Sequence, residues 1–188
     1  MSTLAIILVA IPLILVVVAL VWAVAGYNGL VTQRNRVQNA WSTIDVQLKR
    51  RYDLIPNLLE TVRGYAEHER DVFTAVTAAR SSAMEAHGVR EKADAENELS
   101  RALFELRATA EDYPELRASE QFGKLADELT NTEDRISFAR QAYNDTVNRY
   151  DTKRQRIPTN IIANLANFDA YEYFEADTDS RTPVQVKF

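Results

Sequence analysis

The side chains in this sequence that could carry catalysis are few, and they do not converge on a known chemistry. The two histidines are His68 and His87. His68 precedes Glu69, as at the start of a helical zinc-protease pair, but that pair needs a second histidine four residues after the first, where Val72 stands. Di-iron bundles draw Glu-x-x-His from two helices, yet the residues three before His68 and His87 are Tyr65 and Met84. Glu60, Glu67 and Asp71 stand among basic neighbours at helical spacings, the pattern of a solvated, ion-paired face. Catalysis by Glu60, Glu67 or His68 has no further motif behind it, since there is no Gly-rich phosphate loop and no G-x-S-x-G elbow. The absence of cysteine excludes thiolate nucleophiles, thiolate metal sites and disulfides. The residues therefore predict no catalytic, cofactor-binding or metal-ligating set, and a protein that acts by binding.

The residues suited to binding are cationic and aromatic: Arg34, Arg36, Trp41 and the run Lys49-Arg50-Arg51. Lys49 lies 24 residues beyond Ala25, where the long apolar run ends, which is about 36 Å along a helix. Charge screening acts over about 8 Å, so an upright helix keeps this run away from lipid headgroups. Consecutive helical residues point in different directions, so at most two of the three share a face. Ion pairs within a bundle or with a partner fit better than nucleic acid, with Asp45 and Asp53 as nearby counter-charges. A net charge of -5 also argues against a general nucleic-acid binder.

These residues sit on a helical seam. Leu30, Arg34, Val37, Trp41, Ile44, Leu48 and Ile55 recur at spacings of four and three, as on a helix packed against other helices. Arg34 falls on the seam, where its stem can pack while its guanidinium reaches the surface or headgroups. Leu4 to Ala25 precede the seam without a charge, and 22 residues of helix rise about 33 Å against a hydrocarbon core of about 30 Å. Ala23-Val24-Ala25 has the form of a signal-peptide cleavage site, but the run is too long and Met-Ser-Thr lacks a basic side chain, so a retained anchor is expected. Arg34 and Arg36 follow the span with no acid before Asp45, which puts the N-terminus outside and the bulk of the chain in the cytoplasm.

Pro56 is expected to end the first helix and open a second, whose face includes Leu59, Val62, Val72, Phe73, Val76 and Ala83. A third helix spans about 91–111, with a stripe of Ala95, Leu99, Ala102, Leu103, Leu106 and Ala110. A fourth starts at Pro114 and carries Leu125, Leu129, Thr132, Ile136, Ala139, Tyr143, Val147 and Tyr150 in a four-three repeat, up to Ile157-Pro158. A short apolar helix is expected near 160–168. The fold class is all-α: a transmembrane helix (1–26) continuing into an antiparallel bundle of about four long helices (27–168), then an acidic, mostly mobile tail (169–188). The tail ends Pro183-Val184-Gln185-Val186-Lys187-Phe188, and the alternation of Val184, Val186 and Phe188 suits addition to a partner's sheet edge.

Three stretches carry a family likeness: Y-N-x-L-V-x-x-R-N-x-V-x-x-A-W-S at Tyr27 to Ser42, I-D-V-Q-L-K-R-R-x-D-L-I-P-N-L at Ile44 to Leu58, and V-R-G-Y-A-x-H-E at Val62 to Glu69. Echoes follow at Tyr143 to Val147 with Tyr150, at Tyr173-Phe174-Glu175, and at Pro183 to Phe188. In these features the chain resembles the LemA family of bacterial single-pass membrane proteins. The resemblance implies a helical bundle on the cytoplasmic side of the inner membrane and no reaction or cofactor. It also implies partners that are membrane proteins, with membrane-bound metalloproteases and envelope-stress systems the kind discussed alongside the family. The expected function is that of a non-enzymatic scaffold or adaptor, acting through a homo-oligomer or a membrane-protein partner. The alternative is a regulator or sensor of membrane proteolysis that presents its C-terminal tail.

Overall fold

Helix α1 runs from Thr3 to Arg63, and no charged side chain or tight turn interrupts its first thirty residues. The computed structural model describes residues 3–66 and 68–175. Five more helices follow: α2 (Arg70–Glu85), α3 (Gly88–Glu111), α4 (Pro114–Arg117), α5 (Glu120–Gln155) and α6 (Thr159–Leu165), with no strand among the described residues. The all-α class and the membrane-length N-terminal helix expected from the sequence are thus what the fold has. One helix among the described residues is long and apolar enough to cross a membrane, and it is α1, whose side chains from Ile7 through Val24 are largely exposed.

Pro56 does not end α1, contrary to expectation. A proline inside a helix lacks the N–H that would bond the carbonyl four residues back, here that of Tyr52. Arg80 of α2 supplies the missing donor, its Nε reaching the Tyr52 carbonyl at 2.9 Å. The helix therefore continues to Arg63 and stops at Gly64, after which residues 64–69 turn the chain into α2. Pro114 opens only the four-residue α4, and α5 starts afresh at Glu120, with Ser119 Oγ accepting the Phe122 N–H at 3.4 Å.

The chain divides into two compact units, one of Met1–Ala40 with Asp145–Tyr171 and one of Trp41–Asn144 with Glu172–Phe188. In the first, Leu30, Val37, Val147, Tyr150, Ala163 and Phe168 are buried. Close approach to α1 relies on glycine: a Cβ on Gly29 would lie 2.0 Å from Lys153 Nζ, and one on Gly26 would lie 2.6 Å from Ile162 Cδ1. Tyr27 meets the Phe168 ring edge-on at 5.6 Å, and the Tyr150 hydroxyl donates to the Asp169 carbonyl at 2.8 Å.

In the second unit the seam residues Ile44, Leu48 and Ile55 are fully buried together with Val62, Val76, Leu99, Leu106, Leu116 and Tyr143. Each such aliphatic side chain contributes about 2 kcal/mol by leaving water. Helices α2 and α3 pack on each other across a two-residue connection, where the His87 N–H donates to Glu91 at 3.0 Å and closes the first turn of α3.

Candidate functional site

Within the second unit, the α1 seam places a charge at its centre. Arg51 lies three residues after Leu48 and four before Ile55, so it points inward and is only 4% exposed. Glu96 holds the matching place on α3, three residues before Leu99, and is 3% exposed. Arg51 Nη1 donates to Glu96 Oε2 at 3.0 Å, while Nη2 reaches Ser100 Oγ at 2.8 Å and Glu133 of α5 at 3.3 Å. The Tyr52 hydroxyl donates to the other oxygen of Glu96, with the Ala83 carbonyl 3.2 Å away. Lys92 donates to that same carbonyl at 2.7 Å. Burial pushes the Glu96 carboxyl above its ordinary range, against the pull of the Tyr52 hydroxyl, Arg51 and Lys92. Burial, then the bond to Glu96, pushes the Tyr52 hydroxyl above the usual tyrosine range.

Arg51, Glu96 and Tyr52 are turned onto one another, with Ser100 and Glu133 as further partners, which makes the network a clamp joining α1, α3 and α5. Beside the clamp lies a cavity of about 320 Å³. Its apolar walls are Leu58, Leu103, Phe104, Phe122 and Leu129, with Arg51, Ser100 and Glu133 at the polar side and Arg107 and Asp134 also on the lining. Phe104 is 74% exposed and adds its ring to these apolar walls. Such a surface can take large apolar side chains in the manner of a helix laid in a groove.

The sequence candidates fall in different places. Arg51 is inside the clamp, 4% exposed, and reaches only the polar side of the cavity beside it. Arg50 is half-exposed and pairs with Glu128 of α5. Lys49 is exposed and pairs with Asp53 at 3.0 Å, an arrangement worth about 0.3–0.5 kcal/mol. Asp45 serves none of the three as a hydrogen-bonded counter-charge. In the first unit Arg34 holds its guanidinium 5.4 Å from the Phe168 ring centroid, a cation–π contact, and Arg36 is exposed. Among the carboxylates and histidines considered for catalysis, Glu60, His68 and Asp71 are exposed, and Glu67 lies outside the described residues. Among the described residues no three His, Asp or Glu side chains come together as a metal would require.

Trp41 is half-buried and is occupied inside the second unit. Its indole meets Tyr143 at 5.4 Å and Phe174 at 5.8 Å. Asn144 fixes the backbone of Phe174 from both sides, Oδ1 accepting its N–H at 2.9 Å and Nδ2 donating to its carbonyl at 3.1 Å. The Tyr143 hydroxyl donates to the Glu172 carbonyl at 2.9 Å. A buried aromatic and three hydrogen bonds to the backbone thus hold residues 172–174, within the acidic stretch whose composition reads as mostly mobile. Val184, Val186 and Phe188 lie outside the described residues. Asn144→Ala removes two of the three bonds and should let a non-specific protease cut at Tyr173-Phe174 several-fold faster in the folded protein. Equal cutting rates in wild type and variant, read by mass spectrometry of the products, would contradict the clamp.

Sequence comparison places the chain among known proteins. The LemA family profile matches residues 40–188, which include α2 to α6, the clamp and the Asn144 contact. The chain belongs to the LemA family. Among its relatives are magnetosome protein MamQ 1 of Paramagnetospirillum magneticum and magnetosome protein MamQ of Magnetospirillum gryphiswaldense, each 24% identical over 184 residues, covering 84% of this chain and 68% of the relative. Protein LemA of Metamycoplasma hominis is 26% identical over 160 residues, covering 81% of this chain and 73% of the relative. For the LemA family motifs the structure supplies a physical reason. Tyr143-Asn144 and Tyr173-Phe174, far apart in sequence, meet at one contact. Arg51 and Pro56 from one motif share a second network with Tyr52, Glu96 and Arg80. Tyr52, Arg80, Glu96, Ser100, Glu133, Asn144 and Phe174 were all missed as site residues by the sequence reading. For Glu96 and Arg51 a signal existed, because each is a charge placed on an otherwise apolar stripe.

Proposed function

We propose that the chain is a membrane-anchored, non-enzymatic binding protein, held by α1 in the bacterial inner membrane with its N-terminus outside and its helical domain in the cytoplasm. It acts by docking an apolar helical segment of a membrane-protein partner or of a second copy. The observation that carries this reading is the open cavity of about 320 Å³ beside Phe104, where a large ring stands exposed next to apolar walls. Beside it Arg51, Glu96 and Tyr52 are engaged with one another, which holds α1 and α3 together behind the cavity. The alternative, a regulator of membrane proteolysis that presents its tail, rests on Val184, Val186 and Phe188 alone.

Phe104→Glu tests the binding reading, because a side chain already exposed can be made charged without disturbing the core. The full chain, extracted in mild detergent, is expected to run as a complex or oligomer, and the variant as a monomer of unchanged helicity. A wild-type protein that is strictly monomeric with nothing co-purifying would overturn the proposal. Protease added to inverted inner-membrane vesicles should digest the helical domain; digestion from outside intact cells would reverse the sidedness.

A further inference from the structure

Helix α6 presents apolar side chains that the first unit does not use. Ile157, Ile161 and Leu165 are 85%, 55% and 80% exposed, and on a helix positions 161 and 165 share one face. An apolar face of this kind on so short a helix needs a partner, and its position identifies one. Ile162 packs on Gly26, and Ile162, Leu165 and Ala166 line one shallow depression with Ala23, Val24 and Tyr27 of α1. Ala23 and Val24 belong to the last turn of the apolar run that ends at Ala25, with Trp22 just before them and Tyr27 just after, the aromatic types found at membrane boundaries. Arg34, the first charged residue of the chain, comes nine residues after Ala25, about 13 Å further along. The level of α6 on α1 is therefore the edge of the hydrocarbon, below the first charges.

We infer that α6, with Ile157 ahead of it, lies in the interface of the bilayer that α1 crosses, its Ile157, Ile161 and Leu165 side chains seated among the acyl chains just under the headgroups. The inference rests on the membrane reading of α1. Charge agrees with it: Lys153 beside Gly29, exposed Arg156, and Arg34 over Phe168 belong to the same unit and suit anionic headgroups next to an apolar face. The one acidic side chain of that last α5 turn, Asp151, is taken by Arg154 at 3.0 Å. Unit one thus carries a second point of membrane contact, which fixes the rotation of α1 about its own axis where a single helix leaves it free.

Because the chain has no cysteine, single substitutions label cleanly. The full chain carrying Ile161→Cys, Leu165→Cys or, within the span, Val17→Cys is labelled with an NBD fluorophore. It is then reconstituted in vesicles of phosphatidylcholine and phosphatidylglycerol in equal parts. Nitroxide lipids labelled near the glycerol should remove most of the emission at 161 and 165 while aqueous iodide removes little, and nitroxides deep in the chains should quench position 17. Iodide quenching at 161 and 165 with position 17 still lipid-quenched would overturn the inference and leave the anchor standing. Loss of lipid quenching at position 17 would instead overturn the anchor and the inference with it. Protection from both quenchers at 161 and 165 would mean that protein covers the face, and would overturn the inference too.

Discussion

Glu96→Leu should cost about 3–5 kcal/mol, because it strands the Arg51 guanidinium in a place that is 4% exposed. A domain of this size holds about 5–15 kcal/mol in total, so the variant is expected to melt far below the wild type. The remaining partners do not compensate: Glu133 is half in solvent and Ser100 is neutral. Combining Glu96→Leu with Arg51→Met should recover most of the loss, since the surroundings are apolar and the Tyr52 hydroxyl can turn to the Ala83 carbonyl 3.2 Å away. The measurement is the far-ultraviolet thermal melt of the detergent-solubilised full chain in a double-mutant cycle. Additive losses, with the double variant worse than either single one, would show that the two side chains are not a unit.

The second large effect concerns the proline that α1 tolerates. Arg80→Met removes the donor to the Tyr52 carbonyl and should destabilise by about 1–3 kcal/mol, the cost of a buried acceptor left without a partner. In a Pro56→Ala background the new amide supplies that donor itself, so Arg80→Met should then cost much less. Pro56→Ala alone should stabilise the protein, by up to about 3 kcal/mol, by restoring a normal helix interior. An equal cost of Arg80→Met in both backgrounds would mean that Arg80 acts elsewhere.

These two networks mark where sequence reading reaches its limit. The apolar stripes were legible because periodicity is local: Leu30, Val37, Ile44, Leu48 and Ile55 on α1, and Ile136, Ala139, Tyr143, Val147 and Tyr150 on α5, are all buried. The same four-three count ran through position 51, yet an arginine there reads as surface in the run Lys49-Arg50-Arg51, and its counter-charge lies 45 residues away. Pro56 misled for the same reason. The rule that proline breaks a helix holds when the freed carbonyl meets nothing, and here an arginine 28 residues on meets it. At Phe174 composition carries no signal, since the acidic stretch around it is polar on average while one aromatic side chain, its own N–H and carbonyl, and the Glu172 carbonyl hold its position. The candidate binding surface was the least legible part, because Phe104 and Phe122 stand alone in sequence and form one wall only when α3 and α5 are side by side.

The packing of Trp41 has an optical consequence. The protein has two tryptophans, and the other, Trp22, lies in the span. With Trp22→Phe, emission would come from Trp41 alone, an indole whose environment includes Phe174 at 5.8 Å. Departure of residues 172–175 from their place uncovers that ring to water and shifts its emission to the red. The protein thus holds its own fluorescent gauge of whether its C-terminal segment is seated, readable in intact membranes without an added label.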